Sequence, residues 1–264
     1  MAEAREALLA TITDVLQRDD RIRAAWLSGS LGRGDGDAFS DVDLLVAVDE
    51  KSWDAVVAGW DDGVDTIAPV VLRNRISSQD TVVFAHVTED WLRFDVVLTK
   101  PSTLPEYAAS DLRPLFDRDE CQKLLAAEPV AAKPSGAQVA GMVREFLRIL
   151  GLLPVVLGRG EYVVGVSGAG LLRNLLVQLM VLDQPARRGA LRLSGLIPDE
   201  RLAALAALPP VEATRDSVLA AHLACARLYL PLARDVCSRT AAEWPEAAER
   251  ALRAHLSRML AVVV

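Results

Sequence analysis

The run Val42, Leu44, Leu45, Val46 and Val48 constrains this chain more than any other segment. It is short and almost continuously apolar, without the alternation of a half-exposed strand. Such a run is the pattern of a strand buried on both faces, with cover on each side. Two acids, Asp41 and Asp43, stand at its head. Around it, apolar spacing predicts a helix over 3–18, and Ile22 to Leu27 reads as a strand. Trp53 to Trp60 reads as a helix. Segments 64–73, 81–87 and 92–99 read as strands from their Val, Ile, Phe and Thr content.

Beyond Pro101 the character changes. Prolines recur through 101–137, and the domain boundary is expected within 118–136. Ser135 and Gln138 have capping-box spacing, which announces a helix. Val139, Val143, Phe146, Leu150 and Leu153 then repeat at helical spacing, with Pro154 set to kink the end. Further helices are expected at 161–183, 199–207, 211–238 and 243–261, most of them rich in Ala and Leu. The expected class is α+β: a catalytic domain over 1–125 built on a small mixed sheet, and an α-helical bundle over 136–264.

Composition narrows the function. The chain has 264 residues, 52% of them hydrophobic, enough for a substantial core. No continuous apolar run approaches the ~20 residues of a bilayer span, and the N-terminus lacks a basic-then-apolar export pattern. No membrane association is expected. Cys121, Cys225 and Cys237 have no metal-ligand spacing, so a cytoplasmic protein with reduced thiols is expected. The net charge is −7 and no basic run is present. That counts against DNA or RNA as a partner, because phosphate neutralisation supplies most of such affinity. A cationic or neutral small acceptor suits the charge better. The five tryptophans read as core or interface fillers, and His86, His222 and His255 as structural or surface residues.

The chemistry concentrates between Ser28 and Asp43. Asp41 and Asp43 lie at i and i+2, so both carboxylates project from one strand face. Two carboxylates at the mouth of a buried strand repel each other and lose solvation. A divalent cation removes that cost, and oxygen-only ligands favour Mg²⁺ or Mn²⁺ over zinc. Gly29 lets the backbone approach a ligand. Ser30 offers a hydroxyl and an N–H to a phosphate, and Arg33 adds charge. Asp95, a lone acid in the apolar strand Leu92 to Leu98, supplies a third carboxylate, as a metal ligand or as the base that takes the acceptor proton. Phosphate cradle and metal ligands side by side are what phosphoryl transfer requires.

Gly29-Ser30, ten residues, then Asp41-Val42-Asp43, with Asp95 on a later strand, resembles the signature of the polymerase-beta-type nucleotidyltransferase superfamily. The overall layout resembles the antibiotic nucleotidyltransferases, above all the larger lincosamide enzymes. They too have a Leu-x-Arg-Gly-Glu-Tyr-like segment, here Leu157 to Tyr162. The resemblance implies Asp41, Asp43 and Asp95 as ligands of two Mg²⁺ ions, and Gly29 and Ser30 on the triphosphate of ATP or another NTP. It implies Glu161 as an acceptor-binding residue or auxiliary base. The implied reaction is transfer of a nucleoside monophosphate, AMP above all, to a hydroxyl of a small molecule such as an aminoglycoside or lincosamide, and so antibiotic resistance. Two alternatives stand beside it: a toxin-like enzyme acting on tRNA or protein, and a catalytically silent nucleotide-binding module. The sequence leaves the oligomeric state open, a homodimer included.

Overall fold

The structure, a computed structural model, describes residues 2–128, 134–184 and 193–263. The chain divides into two compact units, Met1–Val130 and Ala131–Val264. Part of the stretch expected to hold the boundary, 129–133, lies outside the described residues.

In the first unit the elements run α1 (Ala2–Arg18), β1 (Ile22–Leu27), α2 (Gly29–Arg33), β2 (Val42–Val48), α3 (Trp53–Gly63), β3 (Val70–Ser77), β4 (Thr81–Thr88), β5 (Arg93–Thr99) and β6 (Arg113–Asp117). The strands form one sheet in the order β3-β4-β5-β2-β1-β6. Only the β2–β5 seam is parallel among the described strand pairs. The apolar run is central, and six of its seven residues are buried; the exception is Asp43.

Side-chain alternation divides the sheet into two faces. Val42, Leu44, Val46 and Val48 pack with Phe94, Val96 and Leu98 against α1 (Leu8, Ile12, Leu16) and α3 (Trp53, Val56, Val57). Leu45 and Ala47 turn the other way, onto Trp26, Leu104, Cys121 and Leu125. The Trp26 indole N–H donates to the Gln122 side chain, which ties the 3-10 turn Cys121–Leu124 across that second face. Asp43 and Asp95, in the phase of Leu45 and Val97, belong to this second face, at its open end.

Two strands depart from the sequence reading. The strand expected at 64–73 is β3, Val70–Ser77, and Val64–Thr66 is a 3-10 turn continuing α3. Val64 and Ile67 are apolar because they cap the helix-side core. β3 is an edge strand with most of its residues exposed. β6, unanticipated, is the opposite edge and accommodates Pro114 there.

The second unit holds α4 (Gly136–Gly151), α5 (Leu153–Arg159), α6 (Tyr162–Leu182), α7 (Asp199–Ala206), α8 (Arg215–Thr240) and α9 (Glu246–Leu260). The Ser135 side chain accepts from the Gln138 N–H at 3.1 Å and starts α4. Leu152 interrupts the periodic stretch, and Pro154 falls in the first turn of α5, where its missing N–H costs no hydrogen bond. The core joins Val143, Phe146 and Leu150 of α4 to Leu172 and Leu176 of α6 and Tyr229 of α8. Among the described residues one helix, α6, is long and apolar enough by length and composition to cross a membrane, with a mean hydropathy of 1.4. Arg173, Asn174 and Gln178 break its apolar run in sequence, and Leu172, Leu176, Leu179 and Met180 place one side of it in the bundle core.

Candidate active site

Gly29 follows β1 after Ser28 and begins α2. Its φ of +61° is a conformation that glycine adopts without the Cβ clash. The Ser28 N–H donates to the Asp43 carbonyl at 2.7 Å and pins the turn against the head of β2. Gly29 lies so close to Asp43 that an added Cβ would stand 1.9 Å from Oδ2. Ser30, in the first turn of α2, is half-buried. From there the loop runs outward. Arg33 ion-pairs with Asp35 at 3.4 Å, and Asp37 and Ser40 close a turn. Arg5 of α1 donates to the carbonyls of Asp37 and Ser40, at 2.6 and 3.1 Å, and tethers the loop just before Asp41.

The parallel seam sets the register: Val42 faces Phe94 and Asp43 faces Asp95. The two carboxylates therefore share one sheet face on adjacent strands. Burial pushes the Asp43 carboxyl up to about 6, and the charges of Asp95 and Asp41 add to the rise, against Arg33 and Arg93. Asp95 is raised as well, by burial and then by Asp41, with Arg93 opposing. Asp41 sits one residue before β2 and is turned to Arg93. The Arg93 guanidinium Nη2 lies 2.7 Å from both of its carboxylate oxygens, and Nε lies 3.0 Å from Oδ1. Among the described residues no three His, Cys, Asp or Glu side chains are assembled as a metal-holding group. The structure thus brings Asp43 and Asp95 together as expected, but the third carboxylate is held by an arginine that the sequence did not single out.

Glu161 lies in the second unit, exposed, at the start of α6. Gly160 ends α5 with a φ of +71°, and the Glu161 carbonyl accepts from the Gly165 N–H at 3.0 Å. Its side chain makes no capping bond to the first turn of α6. Arg93 and Arg5 are the site residues that sequence reasoning missed. The spacing of Arg93 two residues before Asp95 was the available signal, since i and i+2 share a strand face. Trp91 is no core filler: it is 69% exposed at the β4–β5 turn, with a φ of 61°.

The donor set suits a hard divalent cation. Two carboxylates set side by side resist ionising together, and their oxygens are of the type Mg²⁺ and Mn²⁺ prefer. Asp43 and Asp95 would hold such an ion, with Asp41 joining them on leaving Arg93.

Residues 10–90 match the family model described as Polymerase beta, Nucleotidyltransferase. That match lies wholly within the first unit. The match includes Gly29, Ser30, Asp41 and Asp43 and ends before Asp95. No curated protein matches the sequence. Among solved structures, an aminoglycoside 6-adenyltransferase from Bacillus subtilis aligns at 14% identity and a TM-score of 0.45, covering 95% of each chain. A nucleotidyltransferase-like protein from Exiguobacterium sibiricum 255-15 aligns at 13% identity and a TM-score of 0.41, covering 98% of this chain and 90% of the other.

Proposed function

We propose that the protein transfers a nucleoside monophosphate, AMP from ATP, to a hydroxyl of a small molecule in a Mg²⁺-dependent reaction. The observation that carries the reading is the in-register pair Asp43 and Asp95 beside the Gly29 turn, together with the match of residues 10–90 to a nucleotidyltransferase family model.

In this reading the backbone at Gly29 and Ser30 receives the triphosphate, and Arg33 adds positive charge at its flank. Bound Mg²⁺, two ions in the full complex, would neutralise phosphate charge and align attacking and leaving oxygens. Asp41, Asp43 and Asp95 would be its ligands. The acceptor hydroxyl oxygen attacks the α-phosphorus, the bond to the β-phosphate oxygen breaks, and pyrophosphate leaves. Asp95 takes the hydroxyl proton, or Glu161 does if the acceptor brings it into reach. Asp43 must be ionised to bind a cation, which sets a lower pH limit on the reaction.

The net charge of −7 favours a cationic acceptor. An aminoglycoside fits that preference and a lincosamide is the second choice; resistance to such a drug would follow. The proposed setting is the cytoplasm, where the free, buried thiols of Cys121, Cys225 and Cys237 stay reduced. The test is Asp43→Ala with labelled ATP, Mg²⁺ and a panel of aminoglycosides and lincosamides. Label transfer by the wild type and its loss in the variant support the reading. Undiminished transfer by the variant rejects it.

A further inference from the structure

Arg93 opens β5, two residues before Asp95, and stands across the parallel seam from Asp41. The four side chains form a cluster at the head of the seam: Asp43 on β2 and Asp41 one residue before it, Arg93 and Asp95 on β5. Three acids and one base give it a formal charge of −2. The guanidinium is on both Asp41 oxygens, at 2.7 Å from Nη2. Its charge also reaches Asp43 and Asp95, where it opposes burial and the charge of the neighbouring acids. The ion pair is only partly exposed, 45% on the arginine and 27% on the aspartate.

Resting on the proposed nucleotidyl transfer, we infer that Arg93 is a built-in counter-ion of Asp41 that gives way to the divalent ion as the site loads. A carboxylate whose two oxygens both lie on a guanidinium has weakened lone pairs for a cation, so Arg93 and the ion compete for Asp41. The exchange gives the cluster a second use. Once released, the guanidinium remains tethered to β5 beside the site, with five donors in a planar fork suited to a phosphate. It is a positioning residue for the metal and a ready contact for the pyrophosphate that departs.

The test is Mn²⁺ binding followed by electron paramagnetic resonance on the full chain, first without nucleotide and then with a non-hydrolysable ATP analogue. Wild type, Arg93→Met, Asp41→Asn and the double variant close a cycle. Arg93→Met is expected to tighten Mn²⁺ about fivefold without nucleotide, the scale of one partly exposed ion pair. In the Asp41→Asn background the same change is expected to shift affinity by less than about twofold. Arg93→Lys is expected to fall between wild type and Arg93→Met, because an ammonium cannot fork onto both oxygens. Equal affinity in wild type and Arg93→Met overturns the inference. So does an equal gain in both backgrounds, which marks a diffuse charge effect rather than competition for Asp41. Should Arg93→Met not fold, Arg93→Gln replaces it in the cycle with the same readings. A wild type that binds no Mn²⁺ even with nucleotide overturns the metal reading itself, and this inference with it.

Discussion

A side chain on Gly29 would occupy the space of the Asp43 carboxylate, since its Cβ would come to 1.9 Å of Oδ2. Gly29→Ala therefore has two consequences. The φ of +61° costs about 1–2 kcal/mol for a residue with a Cβ, and Asp43 is pushed from its place beside Asp95. The expected outcome is a melting temperature lower by several degrees together with loss of Mn²⁺ binding. Differential scanning fluorimetry and metal titration on the same sample check both.

The carboxyl of Asp43 makes stability depend on pH in a definite direction. Its folded pKa, about 6, exceeds the ordinary 3.8, so the folded state holds the proton more tightly. The resulting stabilisation is complete below about 3.8 and is lost as pH rises through about 6. Asp43→Asn removes the ionising group. Without metal, the variant is expected to melt higher than wild type at pH 8 and to show little difference at pH 4. Added Mg²⁺ should raise the wild-type melting temperature at pH 8, much less at pH 5, and leave the variant unmoved.

His86 acts in the opposite sense. It is buried at 1% exposure, its ring stacks 4.7 Å from Phe94, and neither ring nitrogen has a partner. Burial lowers its pKa, so the folded state prefers the neutral ring. Stability is full above the ordinary value of 6.5 and is lost as pH falls below it. His86→Phe keeps the stack and removes both orphaned nitrogens. It is expected to raise the urea midpoint at pH 5 by more than at pH 8. His86→Ala is expected to cost about 3 kcal/mol at pH 8, from the cavity left in an aromatic cluster, and less at pH 5, where the wild type has itself lost stability.

Glu161 can be tested as the proton acceptor apart from the metal ligands. Asp95→Asn is expected to abolish both Mn²⁺ binding and transfer. If Glu161 takes the acceptor proton, Glu161→Gln leaves Mn²⁺ affinity and melting temperature unchanged and lowers kcat by about 10²-fold or more. Unchanged kcat in that variant assigns the role to Asp95. Single-turnover assays with the cognate acceptor make the distinction.

Much of the first unit is legible in the sequence. β1 has the expected bounds, Ile22–Leu27, because its apolar residues face cover on both sides. The pairing of Asp43 with Asp95 was accessible because lone acids in otherwise apolar strands need a reason to be there. β3 was misplaced: the apolar residues Val64 and Ile67 serve the helix-side core, whereas the edge strand carries Arg73, Asn74 and Arg75 and looks like a loop. The hold of Arg93 on Asp41 was illegible for a different reason. The partners are 52 residues apart and meet only through the register of the seam. Whether a carboxylate at the head of a strand meets a metal or a guanidinium is decided by that distant neighbour.

The parallel seam has a kinetic side. β2 and β5 cannot pair through a hairpin, and the chain between them must first lay down α3, β3 and β4. No nascent chain shorter than about residue 99 can contain the finished carboxylate pair, so competence arrives late, with closure of a long crossover. The closure penalty grows only with the logarithm of the loop. Evolution therefore has room to lengthen or reshape the edge hairpin β3–β4 while the reacting end of the sheet keeps its form.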